Sequence, residues 1–371
     1  MNKTGRYGLI VAIICIGLSG CGKDIEEVKN TVEYSNETTE NSQERKTESF
    51  PVAYTDQINN VKFDCMLEIP EKFDASDFYM PMVEGYSFID IEKAYQIYVE
   101  GKEIKEEYHD PVEADDQIAA DNYILNDNTL IGITGGFLYY TPDTSIYRNV
   151  VRSSERNAPK NNFKFASGDS CVEEVKKKLK EIGCPVEEYR FDWFSTSGEE
   201  YSILEQRAVD DQAIDSQYIK QDGWTEENNA YEIYAWQTYG ELPVFDIVMT
   251  TAKTRALESY QKAPISALYT EKGLLSFSLT TPPYKFVKSN DRVDFLSFSE
   301  IAKLLEQRYE DLLEDDEVTH TVTRAKLAIR TYYDEKQDIA AEPIWYFEVT
   351  DGEAVEIVLI NAINGNEIFL N

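Results

Sequence analysis

Apolar residues recur along this chain with two periods. Val61, Phe63, Cys65, Leu67 and Ile69 alternate with Lys62, Asp64 and Glu68, the repeat of a strand with one buried face. Ile91, Ala94, Tyr95 and Tyr98 instead recur at three and four residues, which predicts a helix near 90–107. Between 129 and 141, Leu130, Ile131 and Ile133 face Phe137 and Tyr139 across Gly135 and Gly136, a hairpin pattern. A second helix over 171–182 carries the stripe Val172, Val175, Leu179 and Ile182. Ser170 and Glu173 form its capping box, and Gly183 with Pro185 stops it. Tyr189, Phe191 and Trp193 then alternate as a strand, and Ser197 with Glu200 opens another helix.

After a polar stretch at 210–230 the pattern resumes. A strand over 231–239 is expected to run on through 240–245 past Pro243, and strands at 265–270 and 274–279 flank a turn at Glu271, Lys272 and Gly273. Ser297 and Glu300 cap a helix with Ile301, Leu304, Leu305 and Leu312 on its inner side. Strands follow near 318–332, 342–350 and 355–362. Asn364 and Gly365 then predict a hairpin with a type I′ turn between Ile360, Ile363 and Ile368. The fold class read from this order is α+β, antiparallel sheets with packed helices. The polar stretch divides it into subdomains 50–225 and 226–371, and about 145 residues is long enough for the second to bury a core of its own.

The segments GELPVFD (240–246), LLSFSLT (274–280), FLSFSEIAKLLEQRYE (295–310), RAKLAIRTYY (324–333), AEPIWYFEV (341–349) and INAINGNEI (360–368) resemble the extracytoplasmic YycH and YycI regulators of Gram-positive bacteria. They are also similar to PepSY-type modules and to clostridial lipoproteins of unknown function. The resemblance covers about 140 C-terminal residues and rests on order and spacing. It implies a cystatin-like or YycI-like α+β unit that binds protein partners and has no active site. YycI-type proteins act through a transmembrane helix beside a sensor kinase, which this chain does not match.

The N-terminus changes the picture. Lys3 and Arg6 precede an apolar run from Gly8 to Leu18, too short for the roughly 20 residues of a bilayer span. It ends in Leu18, Ser19, Gly20 and Cys21, which resembles the lipobox of bacterial lipoproteins. The resemblance implies cleavage between Gly20 and Cys21, so that 1–20 is a signal peptide, and a diacylglyceryl group on the Cys21 sulfur. That group would hold the protein on the extracytoplasmic face of the cell membrane. Residues 21–49, rich in Glu, Asn, Thr and Ser, read as a disordered tether of roughly 30 Å reach.

The chain has 36 basic and 69 acidic residues, net charge −33. Loss of residues 1–20 removes Lys3 and Arg6 and no acid, which leaves 34 against 69, or −35. Such a surface repels nucleic acid and anionic headgroups. With 42% hydrophobic residues and 25 tyrosines, the remainder has ample material for a core.

Chemistry is sparse. Cys65, Cys171 and Cys184 cannot all pair. A helix over 171–182 separates Cys171 from Cys184 by roughly 18 Å, beyond the reach of a disulfide, while a pairing of Cys65 with either stays open. No catalytic thiol is expected. His109, expected after a helix, and His320, at a strand start, neighbour no triad signature, and the chain lacks H-E-x-x-H, C-x-x-C and a phosphate loop. Neither a catalytic residue, a metal nor a cofactor is therefore expected. The acidic run Glu310, Asp311, Glu314, Asp315, Asp316 and Glu317 lacks calcium-loop spacing and reads as a solvated helix end, and Asn126, Asp127 and Asn128 read as a turn. Tyr231, Tyr234, Trp236 and Tyr239 occupy both faces of one strand, so they are either covered or exposed as a binding patch. Two functions fit. The preferred one is a non-catalytic binding or regulatory lipoprotein that meets an envelope protein through its sheet. The alternative is a lipoprotein that captures a carbohydrate or small molecule. A flat or edge-strand surface would favour the first, and an aromatic cleft with converging polar groups the second.

Overall fold

The computed structural model describes residues 50–110, 120–142, 147, 159–210, 219–246, 263–310 and 318–369, all of which belong to one unit, Thr47–Asn371. Gly20, Cys21, the 21–49 segment, Leu312 and the rest of the acidic run after Glu310 lie outside the described residues. The first strands are β1 (Ala53–Ile58), β2 (Val61–Glu68) and β3 (Tyr79–Tyr86), followed by helix α1 (Ile91–Tyr98). Four strands follow, β4 (Ile104–Asp110), β5 (Ala120–Leu125), β6 (Leu130–Ile133) and β7 (Leu138–Thr141). Helix α2 (Gly168–Glu181), β8 (Tyr189–Thr196) and helix α3 (Gly198–Asp210) lead to β9 (Ala230–Tyr239) and β10 (Leu242–Asp246). Next come β11 (Ile265–Thr270), β12 (Gly273–Leu279), β13 (Tyr284–Arg292) and helix α4 (Phe298–Glu310). The chain closes with β14 (His320–Tyr333), β15 (Ile339–Thr350), β16 (Val355–Asn361) and β17 (Glu367–Ile368). The fold is α+β: a mostly antiparallel network of strands carrying four helices among the described residues.

The network divides into two sheets. The terminal sheet, drawn from both ends of the chain, runs β1-β2-β14-β15-β16-β17, with β2 parallel to β14 and every other neighbour antiparallel. Beyond the end of β2, β10 joins β14 in parallel, and the β3–β13 ribbon touches β15 at Ala340. The central sheet, drawn from the middle of the chain, is antiparallel in the order β4-β5-β6-β7-β12-β11-β9-β8. The sheets meet where β9 turns into β10.

Each sheet buries one face beneath helices. Phe298, Ile301, Ala302, Leu305 and Tyr309 of α4 pack onto Phe63, Leu67, Val322, Leu327, Trp345 and Phe347 of the terminal sheet. Trp345 is fully buried, its ring centroid 5.4 Å from Phe50 and 4.9 Å from Phe298. On the central sheet, Ala94 and Tyr98 of α1 and Val172, Val175 and Leu179 of α2 cover Ile131, Leu138, Ile233 and Ile265. Helix α3 packs on the opposite face through Tyr201, against Ala230 and Leu268.

Several elements differ from the sequence reading. The boundary at 225/226 cuts through both sheets: β8 pairs with β9 along its whole length, and β2 lies beside β14. The described part of that polar stretch, residues 219–229, is exposed or half-buried and leads straight into β9 of the same sheet, so it is not the end of a core. Helix α1 stops at Tyr98 because Gly101 turns the chain at φ +75°, after which residues 104–110 pair as β4 instead of extending the helix. Helix α2 begins earlier than Ser170. Its cap is Ser167, whose Oγ accepts from the Ser170 N–H at 3.2 Å. The capping boxes at Ser197/Glu200 and Ser297/Glu300 are present with both bonds made. Strand 231–239 does not continue past 240. Gly240 and Glu241, at φ +54° and +72°, reverse the chain so that Leu242 faces Tyr239. At the C-terminus the Asn361 N–H donates to the Asn366 carbonyl, so the loop between them has four residues instead of two. The Asn361 side chain accepts from Ile363 N–H at 2.9 Å and Asn364 N–H at 3.0 Å, and within that loop only Gly365 takes positive φ.

Candidate functional site

Among the described residues neither sheet carries a helix where the two meet, and the two bare faces border a cleft of about 860 Å³ there. Its floor is the terminal sheet. Glu68 of β2, Arg324 and Lys326 of β14, Glu348 of β15 and Val355 and Ile357 of β16 stand side by side across four strands. A bulge explains why two cations face the cleft. Val322 and Ala325 both point into the α4 core although they are three residues apart, and Thr323 between them has no partner opposite it on β15. Strict alternation from Val322 would turn Arg324 and Lys326 into the core. The extra residue switches the phase, so both face outward while Ala325 and Leu327 stay buried.

Arg324 organises the floor. Its Nε and Nη2 bond both oxygens of Glu68 at 2.5 and 2.6 Å, and its Nη1 reaches Glu348 at 3.3 Å. The Tyr346 hydroxyl also donates to Glu348 at 3.2 Å. Only 12% of the Arg324 side chain is exposed, so the pairing holds a largely dehydrated charge in one geometry. Lys326 lies over the Phe245 ring at 5.2 Å. The wall comes from the central sheet, where Arg190 of β8 stands opposite Trp236 of β9 and both Asp192 and Thr238 line the same cleft. The tight β9–β10 turn forms the corner, and Glu241 stands there in the left-handed region that side-chain-bearing residues seldom adopt.

The aromatic strand resolves into distinct roles. Tyr231 and Tyr234 are buried, Tyr239 is half-buried with its hydroxyl on the Tyr79 carbonyl at 3.1 Å, and Trp236 is half-buried on the cleft wall. Sequence reasoning singles out Trp236 but not Arg324, Glu68, Glu348 or Arg190, because the floor depends on β2 lying beside β14 across some 250 residues of chain.

The other sequence candidates lie elsewhere. Cys65, Cys171 and Cys184 are free and buried, and burial pushes the first two thiols up to about 11 and Cys184 up to about 12. Such thiols stay protonated and are poor nucleophiles at neutral pH. His109 lies within β4, not after a helix, exposed, with Nδ1 2.6 Å from Asp121 Oδ1. That hydrogen bond raises its pKa above the ordinary 6.5. His320 is buried and stacked on Tyr309, ring centroids 4.1 Å apart. Asn126, Asp127 and Asn128 form a turn in which the Asp127 carboxylate accepts from Thr129 N–H at 3.0 Å. Among the described residues no group of three His, Cys, Asp or Glu side chains is gathered to hold a metal. No helix among them is long and apolar enough to cross a membrane.

No family model matches the chain, and no curated protein does. Similar solved structures include an uncharacterized protein from Eubacterium rectale ATCC 33656, with TM-score 0.53 and 13% identity over 85% of this chain and 92% of that one. Another is the C-terminal domain of Bacillus megaterium YpeB, with TM-score 0.31 and 11% identity over 76% of this chain and 94% of that one. The first likeness is one of fold. The second is too distant to carry weight.

Proposed function

We propose that this chain is an exported, lipid-anchored binding protein that captures its ligand in the cleft between the two sheets and performs no catalysis on it. The observation that carries this reading is the cleft itself. Its volume lies within the range of about 300–1,000 Å³ typical of ligand sites, and an indole, an arginine clamp and carboxylates converge on it. Capture is therefore favoured over contact through a flat sheet surface. The lipobox ending in Gly20 and Cys21 supports a diacylglyceryl anchor on the extracytoplasmic face of the cell membrane. The likeness of the C-terminal segments to YycI-type and PepSY-type modules supports the same placement.

A second reading, a regulatory contact with an envelope protein, is favoured by β4. Among the described residues that strand is an edge of the central sheet, and its residues 104–109 are all exposed. An open strand edge is a template for pairing with another chain.

Photo-crosslinking in cells separates the two. A photoreactive residue replaces Val355 inside the cleft, Tyr108 on the β4 edge, or Ile203 on α3 as control. Capture in the cleft yields an adduct at 355 alone, and an adduct at 108 with none at 355 would overturn it. Changing Cys21 to Ser in the same strain abolishes lipid labelling and leaves the signal peptide uncleaved, if the anchor is as proposed.

A further inference from the structure

Resting on the cleft as the binding site, we infer that its ligand is a neutral glycan, with one sugar ring lying on the indole of Trp236. Charge excludes most other classes. Six carboxylates and four cations line the cleft of a chain with net charge −33, so polyanions such as nucleic acids and polyphosphates are repelled. Cationic ligands find four of the six carboxylates already paired, Glu68 and Glu348 with Arg324, Glu187 with Lys180 and Asp192 with Lys160, and an apolar ligand would strip water from charges that it could not replace. Peptide pairing through the main chain is not offered either, because floor and wall are sheet faces that present side chains.

A sugar fits what remains. Its hydroxyls both donate and accept, so one ring can answer an arginine and a carboxylate together. Groups of both signs line the cleft for this: the exposed side chains of Arg190, Glu241, Lys72 and Glu71 make no hydrogen bond or ion pair among the described residues. These four groups balance, two of each sign, which favours a ligand without net charge. The half-buried Trp236 ring, directly opposite Arg190, supplies an electron-rich face for the polarised C–H groups of a pyranose.

The test is calorimetric titration of the full chain in detergent with neutral oligosaccharides (β-glucan, chitin and xylan oligomers), an oligogalacturonate and a mixed peptide pool. A neutral oligosaccharide is expected to bind saturably and to shift tryptophan fluorescence. Trp236→Ala is expected to weaken it about tenfold or more. Val355→Trp does the same by filling the cleft from an exposed position that leaves the core intact. Should no neutral oligosaccharide bind, or should the peptide pool or oligogalacturonate bind best and respond to both variants, the glycan is wrong while the cleft stands. Saturable sugar binding that neither variant alters would overturn the cleft as its site.

Discussion

At the residue scale, Trp345 shows how strongly one side chain ties the molecule together. It lies fully buried between Phe50 at the start of the fold and Phe298 at the start of α4, with its indole N–H unpartnered in the core. Trp345→Ala removes the largest fully buried side chain and leaves a cavity, so chemical denaturation is expected to show a loss of about 3–5 kcal/mol. His109 gives a pH-dependent counterpart. Because the Asp121 hydrogen bond raises its folded-state pKa, its contribution to stability is present below about 6.5 and is lost as pH rises through the raised value. NMR titration of the ring is expected to give a midpoint above 6.5 that returns toward 6.5 in Asp121→Asn. The burial of Trp345 is legible from alternation with Pro343, Phe347 and Val349. The role of Arg324 is not, because a one-residue bulge changes which face a side chain takes without leaving a mark in composition.

At the element scale, the capping boxes at Ser197 and Ser297 are readable because both partners lie within four residues of each other, and local hydrogen bonds need no tertiary context. Turns are harder. Asn364 with Gly365 suggests a two-residue reversal, yet the Asn361 side chain caps a longer loop and Gly365 settles under α4. A Cβ at Gly365 would run into Leu304 Cδ1, and the backbone there sits at φ +76°, so strain and crowding act together. Gly365→Ala is expected to cost more than about 1 kcal/mol in thermal or urea unfolding, and a neutral result would mean that the loop adjusts freely. Strands β3 and β13 escape the sequence reading altogether. Their residues lack clean alternation because the ribbon they form is bulged twice and only partly buried.

At the scale of the whole molecule, the chain leaves the terminal sheet, builds the central one and returns, so neither half holds a complete sheet. A fragment 226–371 would lack β2 beside β14 and β8 beside β9. It is expected to be insoluble or to lack a cooperative unfolding transition, whereas 50–371 unfolds cooperatively. A soluble, cooperative 226–371 would contradict this topology. The same winding creates the cleft, since its floor and wall come from segments far apart in sequence and meet only at the β9–β10 corner. Binding in that cleft is most directly tested by hydrogen exchange of the full chain with and without the ligand captured by the residue-355 crosslink. Slowed exchange is expected together in residues 187–192 and 236–241 of one wall and 324–326 and 355–357 of the floor. Protection confined to residues 104–110 on the β4 edge, with the cleft unchanged, would contradict it.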